Sequence, residues 1–216
     1  RSYSVTGVQT CALPICKSSL STNLAVVAAQ DEKRVALIDA DPQKSVMNWR
    51  AGREKDDVSA FSMATTSIAA DVPKMSGAYD LAIIDCGGRD SQVFRAALAT
   101  ADIIAVPVLP SYFDVIATTE TLNAINELKL FKPSIRAVIV LNQVISHKST
   151  MLKEALDGLA ELAPDYPILE TRISRKEAYK KASQDGLGVA DLSLWSEETK
   201  EIQSLYREIM AIAESV

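Results

Sequence analysis

Again and again along this chain, a short apolar run breaks off at its C-terminal end and gives way to a helix-like stretch. Val35-Ala36-Leu37-Ile38 stops at Asp39, with Asp41 close behind. Leu81-Ala82-Ile83-Ile84 stops at Asp85, followed by Cys86-Gly87-Gly88. Ile103 to Val106 runs into Pro107 and Pro110, and Ala137 to Leu141 stops at Asn142. Runs without polar alternation are strands buried on both faces, which is how strands of a parallel sheet read. Parallel neighbours need crossover connections, so the intervening helical patterns must cover both faces. The expected fold is α/β: one doubly wound, mostly parallel sheet with helices on both faces, in a single domain. A length of 216 residues and 48% hydrophobic content suit one sizeable core.

The remaining elements follow from local pattern. A helix is expected from near Lys44, carrying Trp49 and Arg50, then a charged surface connection over 51–58. A short strand is expected at Phe61–Thr66 and a short helix at Ile68–Met75 with Val72 inward. Ser91 or Asp90 should cap a helix running to Ala101. Longer helices are expected at Val115–Leu130 and Lys148–Ala163, the latter burying Leu152, Leu156, Leu159 and Leu162. Tyr166–Ile173 reads as the last strand and Gly186-Leu187-Gly188 as a loop. Trp195–Ala213 reads as a closing helix with Ile202, Leu205, Ile209 and Ile212 inward.

Ligands of open α/β sheets bind outside the carboxyl ends of the strands, so the residues at those ends are the candidate site. Cys16-Lys17-Ser18-Ser19 runs into a helix marked by Leu20, Leu24 and Val27, and Lys17-Ser18 matches the end of G-x-x-x-x-G-K-[ST]. A helix N-terminus offers unpaired N–H groups to phosphate, the lysine a point charge, and the serine a hydroxyl for Mg²⁺. The two glycine positions of that pattern are Cys11 and Cys16, with Leu13, Pro14 and Ile15 between or beside them. Pro14 has no N–H to donate, and the bulk around it opposes close backbone approach to phosphate. Taken alone, Lys-Ser-Ser is also a plain helix start. Asp39 and Asp41 read either as site acids or as turn residues before Pro42. Asp85 with Gly87 and Gly88 reads as a cation-supporting acid with a mobile backbone, or as an ordinary turn. Asn142 reads equally as a base-reading amide or a turn cap. Arg172, Arg175, Lys176, Lys180 and Lys181 form a basic segment able to touch DNA phosphates, or a solvated face interspersed with Glu170 and Glu177.

Net charge is −5, so nucleic-acid binding has to be a local patch. No apolar run is long enough to span a membrane, and no secretory leader is visible, which sets a cytoplasmic expectation. Three cysteines and one histidine fit neither a disulfide framework nor a metal site. Residues 1–15 lack helical or strict strand periodicity. The string Val5 to Ile15 resembles the conceptual translation of a sequencing-adapter oligonucleotide. The expected division is therefore a non-native or divergent segment at 1–15 and the α/β domain at 16–216. On that reading the parent protein carries Gly where Cys16 stands, preceded by its own strand and glycine-rich loop. Val5 to Val8 have some strand character and are the one part of the segment suited to fill that slot.

Three strings together carry a family resemblance: Lys17-Ser18-Ser19, Asp39-Ala40-Asp41-Pro42-Gln43, and Ile83 through Ser91 with its Asp85-Cys86-Gly87-Gly88-Arg89-Asp90 core. They resemble the deviant Walker A, switch I and Walker B/switch II segments of ParA/MinD-type ATPases, most closely the ParA partition branch. The family loop K-G-G-x-G-K-[ST] maps its signature lysine onto Ala12 and its glycines onto Leu13, Pro14 and Cys16. The resemblance implies an ATPase using ATP and Mg²⁺. Lys17 would hold the phosphates, Ser18 would ligate Mg²⁺ with support from Asp85, Asp41 would position the attacking water, and Asn142 would lie by the adenine. Ser19, Asp39, Gly87 and Gly88 would complete the nucleotide site. It further implies an ATP-driven homodimer, non-specific DNA binding on the nucleoid in the cytoplasm, a ParB-type partner that stimulates hydrolysis, and no membrane. Two other readings are a ParA-like interaction protein that has lost nucleotide binding and a MinD-like positioning regulator. The acidic last helix argues against a membrane-binding version of the latter.

Overall fold

The computed structural model describes residues 3–7, 15–87 and 91–215. Seven strands form one sheet: β1 (Tyr3–Gly7), β2 (Val35–Asp39), β3 (Val58–Ser62), β4 (Leu81–Asp85), β5 (Ile103–Val108), β6 (Arg136–Val144) and β7 (Ile168–Ser174). Their spatial order is β3-β2-β4-β1-β5-β6-β7 and every pairing is parallel. The chain winds from β1 outward to β3, returns through β4, then crosses over β1 to build the other half. The point where the winding reverses lies beside β1, which is where open α/β sheets place their ligands.

Helices cover both faces as the crossovers require. One face carries α1 (Ile15–Gln30), α2 (Ser45–Gly52), α7 (Glu177–Gln184), α8 (Val189–Leu192) and α9 (Glu197–Glu214). The other carries α3 (Ile68–Asp71) with a 3₁₀ turn at Val72–Gly77, α4 (Gln92–Thr100), α5 (Tyr112–Lys129) and α6 (Thr150–Leu162). Strand residues alternate between the two cores. Val35, Leu37, Leu81 and Ile83 face α1 and α9, while Ala36, Ile38, Ala82 and Ile84 face α4 and α5. A strand apolar at every position is thereby used on both faces. Ser91, Ser111, Ser149 and Ser196 cap α4, α5, α6 and α9 by accepting the N–H three residues on. Each such cap contributes about 1 kcal/mol.

β7 is an edge strand, and a bare edge invites pairing with another chain. Here α9 covers it with carboxylates: Glu208 accepts the N–H groups of Glu170 and Thr171, and Glu201 accepts that of Ser174.

Tyr3–Gly7 is a central strand whose backbone register pairs it with both β4 and β5, so the stretch with strand character takes that slot from Tyr3 to Gly7, while Val8 lies outside the described residues. Other sequence expectations need correction. β3 starts at Val58 rather than Phe61, and Asp39 O holds Met63 just beyond its end. α5 starts three residues early, at Tyr112, because Ser111 caps it. In α6, Leu152 and Leu159 are buried and Leu156 is partly so, but Leu162 is exposed because the helix ends there. Ile212 is likewise only partly buried. The 51–58 connection is not wholly surface: Arg53 is buried.

Candidate functional site

The carboxyl ends of β2 and β4 bring two acids side by side, for Asp39 and Asp85 are direct register partners. Both are buried. Asp85 accepts the Ser18 hydroxyl at 2.6 Å and the Ser21 hydroxyl at 3.1 Å, one on each carboxylate oxygen. Ser18 and Ser21 are one helical turn apart on α1, so they present the same face to the strand end. Burial pushes the Asp85 carboxyl up to about 7; the Ser18 hydroxyl opposes that rise, and the neighbouring Asp39 charge adds to it. Asp39 accepts backbone N–H groups from Met47 at 3.0 Å and Asp41 at 3.2 Å. Burial outweighs those bonds and its carboxyl is raised as well. Lys17 offsets the Asp85 charge only in part.

Lys17 and Ser18 lie in the first turn of α1, where backbone N–H groups lack intrahelical partners. The Lys17 ammonium stands 3.9 Å from Asp41 Oδ2, a loose ion pair with no hydrogen bond. Asp41 Oδ1 accepts the Gln43 N–H at 2.9 Å, which closes the turn after β2. Gly87 lies against the same aspartate: a Cβ there would stand 3.5 Å from Asp41 Oδ2. Lys17, Ser18, Asp39, Asp41, Asp85 and Gly87 therefore lie together at this edge, while Gly88 and residues 8–14 lie outside the described residues.

Beside this cluster an open cleft of about 520 Å³ runs between the start of α1, the ends of β6 and β7, and α7. Ser19 and Leu20 form one wall, Asn142 and Gln143 the floor, and Tyr179 and Lys180 the far side. Asn142 is buried, and its carboxamide oxygen accepts the Gln143 N–H at 2.9 Å. It thus acts in part as the turn cap considered from sequence, while also lining the cleft. Gln143 has a left-handed φ of 55°, uncommon for a residue with a Cβ, and this turns the chain sharply at the cleft floor. The basic segment divides. Arg175, Lys176 and Lys180 line the cleft, Lys181 is exposed on α7, and Arg172 is half-buried on β7. Lys176 is not part of a helix face, since it precedes α7 in extended conformation.

The arrangement suits an anionic ligand whose charged end meets the start of α1 and whose flat end enters the cleft. It also has room for a cation. Two buried acids stand side by side, and burial raises both carboxyls because their ionised forms lack a full counter-charge. Among the described residues no group of three or more His, Cys, Asp or Glu forms a cage. A divalent ion here would need the Ser18 hydroxyl and oxygens of the ligand itself, as Mg²⁺ on a phosphate typically does. Sequence reading missed Ser21, whose spacing from Ser18 was the available signal. It also missed Tyr179, whose hydroxyl donates to Glu201 at 2.9 Å and for which no local motif exists.

Residues 15–189 match the CobQ/CobB/MinD/ParA nucleotide binding domain family. The maintenance of carboxysome distribution protein A of Halothiobacillus neapolitanus is 28% identical over 180 residues, 82% of each chain. A ParA protein of Rhizobium radiobacter is 25% identical over 79% of this chain and 78% of its own. Among solved structures, an ATP complex of a Cyanothece McdA variant superposes with a TM-score of 0.80, covering 99% of this chain and 98% of that one at 16% identity. That likeness is one of fold.

Proposed function

Because the chain belongs to the CobQ/CobB/MinD/ParA nucleotide-binding family, we propose that it is an ATPase of the positioning and partition kind, using ATP and Mg²⁺ at the carboxyl edge of the sheet. The observation that carries this is the Ser18 hydroxyl donating at 2.6 Å to a buried Asp85. A serine at the start of a helix, oriented by an acid at the end of the neighbouring strand, is the usual arrangement for holding Mg²⁺ on a bound nucleotide. Bound Mg²⁺ would neutralise phosphate charge.

The chain's own residues do the rest. Lys17 holds the β- and γ-phosphates, leaving its loose contact with Asp41. Ser19 sits at the entrance to the cleft, and Asn142 lies on its floor by the adenine. Asp41, freed from Lys17, orients the attacking water, and Gly87 and Gly88 allow the backbone to approach the γ-phosphate. Asp39 holds Met47 N–H and so fixes the start of α2 relative to that water. The work is positioning and charge neutralisation, without a covalent intermediate on the protein.

The two curated relatives concern carboxysome distribution and a ParA protein, and they support a role in distributing a cargo. We read the partition branch as the better fit, with an ATP-dependent homodimer, non-specific DNA binding through Arg172, Arg175, Lys176, Lys180 and Lys181, and a ParB-type partner. No helix among the described residues is long and apolar enough to cross a membrane. The second reading, an interaction protein without nucleotide, is favoured by Leu13, Pro14 and Cys16 standing where the family loop has glycine. We take residues 1–15 as a non-native or divergent segment ahead of the ATPase domain at 16–216.

Sedimentation with random-sequence duplex DNA, under Mg-ATP, Mg-ADP or neither, tests this. The proposal expects binding with ATP only, weakened at least tenfold between about 50 and 200 mM salt. Equal binding in all three states would favour the interaction-protein reading.

A further inference from the structure

The helix that follows the Asp39–Asp41 loop is fastened at its other end to the segment following α7. Arg53, just past α2, has a side chain with no exposure to solvent. It donates to both oxygens of Asp57 at 2.7 Å, to Asp191 at 2.8 Å and to the Gly186 carbonyl at 3.1 Å. Its guanidinium lies 5.2 Å from the Trp49 ring centre, and the Trp49 indole N–H donates to Leu187 O at 3.1 Å. Backbone meets backbone at the same place: a Cβ on Gly186, which has a φ of +66°, would stand 2.3 Å from the Gly52 carbonyl carbon. Lys55 adds a bond to the other Asp191 oxygen at 2.6 Å, so two chain segments more than 130 residues apart are joined by four side-chain hydrogen bonds and a close glycine pair.

We infer that the Trp49–Arg53–Asp191 node locks α2 to the segment from the end of α7 through α8, so that a shift of the Asp41 loop is delivered through that segment to the cleft wall and the basic residues of α7. This rests on the proposed nucleotide site and adds a route of regulation to it. At the loop end, Asp39 accepts the Met47 N–H, and Lys44, at a left-handed φ of 56°, starts the helix. At the far end, Asp191 also accepts the Gly188 N–H, and the segment continues back into α7, where Tyr179 and Lys180 wall the cleft. α2 is only eight residues long, so it has little freedom to bend between its two fixed ends. The node residues touch neither the phosphate end nor the cleft. They are positioning residues.

Hydrogen exchange on the full chain, read at 45–52 and at 179–191, tests the lock with and without nucleotide. Without nucleotide, Lys44→Gly perturbs α2 from its loop end. The lock predicts that exchange at 179–191 changes along with 45–52, by about threefold or more, and that Asp191→Asn abolishes this transmission. Trp49→Phe, which replaces the indole by a smaller aromatic ring and loses its hydrogen bond to Leu187 O, is the milder variant should Asp191→Asn fail to fold. Exchange at 179–191 that ignores Lys44→Gly in the parent chain, or follows it equally in both variants, overturns the inference. With nucleotide, the lock predicts an ATP-minus-ADP difference at 179–191 that is lost in Asp191→Asn while ATP affinity stays within about threefold. A merely structural node would change stability without removing that difference. Failure of either nucleotide to bind a folded chain with residues 1–16 replaced by an apolar strand and glycine-rich loop refutes the proposed function, and the nucleotide-free comparison still decides the lock.

Discussion

Two regions of this molecule bury aspartates, and they treat them in opposite ways. At the carboxyl edge, Asp39 and Asp85 sit side by side without a full counter-charge, and burial raises both carboxyls. At the α2–α8 node, desolvation alone would raise the buried Asp191 side chain and the more exposed Asp57 too, but the hydrogen bonds and charge of Arg53, joined at Asp191 by Lys55 and the Gly188 N–H, outweigh it and hold both below the usual carboxylate range. The same residue type has opposite proton affinity because one set has its cation built in and the other does not. The node is complete as it stands. The edge has no such built-in guanidinium, and perturbed acids of this kind at a strand end fit the binding site proposed there.

That contrast can be broken from either side. The largest effect is expected from Arg53→Met, which leaves the buried Asp191 side chain with only Lys55 and the Gly188 N–H as partners and releases the more exposed Asp57. It should cost about 3 kcal/mol in denaturant unfolding, because breaking a buried pair leaves its charge only partly compensated. Asp85→Asn should act in the opposite direction. The ordinary carboxyl value is 3.8 and the folded one is about 7. Between these values the folded state holds a proton that the unfolded state has released. Stability from this group therefore falls as pH rises from about 4 to about 7 and is flat above. The distance corresponds to at most about 4 kcal/mol. Unfolding of the nucleotide-free protein across pH 4–8 should show Asp85→Asn gaining on the parent chain as pH rises. Asp57 and Asp191 contribute with the reverse sign, a stability lost as pH falls through their lowered folded values.

Smaller changes sharpen the comparison. Gly186→Ala meets Gly52 backbone and takes a side chain to φ +66°, so a loss of about 1–3 kcal/mol from conformation alone is expected in thermal melts. Ser18→Ala removes one hydrogen bond to Asp85 and should cost the nucleotide-free protein only about 1 kcal/mol. Its effect on Mg²⁺-dependent nucleotide binding should exceed tenfold. A serine that mattered equally to both would be structural.

Much of this was readable in the sequence because it depends on local pattern. The apolar runs ending at Asp39, Asp85 and Asn142 specify buried parallel strands and place three polar groups on one edge without any knowledge of pairing. What escaped was decided by distant partners. The strand character of Val5 to Val8 was legible, but not the extension back to Tyr3, which pairs with Leu81 of β4. Arg53 looks like one more charge in a charged connection until Asp191, 138 residues away, comes to meet it. Arg175, Lys176 and Lys180 read as a surface stripe, but the end of β7 turns them toward the cleft. Ser21 was within reach, since it sits one turn beyond Ser18 and faces the same acid.

The most direct measurement is calorimetric titration of Mg-ATP into a chain whose residues 1–16 are replaced by an apolar strand ending in Lys-Gly-Gly-Val-Gly, alongside the same chain carrying Ser18→Ala. The account predicts saturable binding that requires Mg²⁺ and weakens at least tenfold in Ser18→Ala. A folded repaired chain that binds no Mg-ATP, or binds it equally well without the Ser18 hydroxyl, would contradict the assignment of the Lys17–Ser18–Asp85 edge as a nucleotide site.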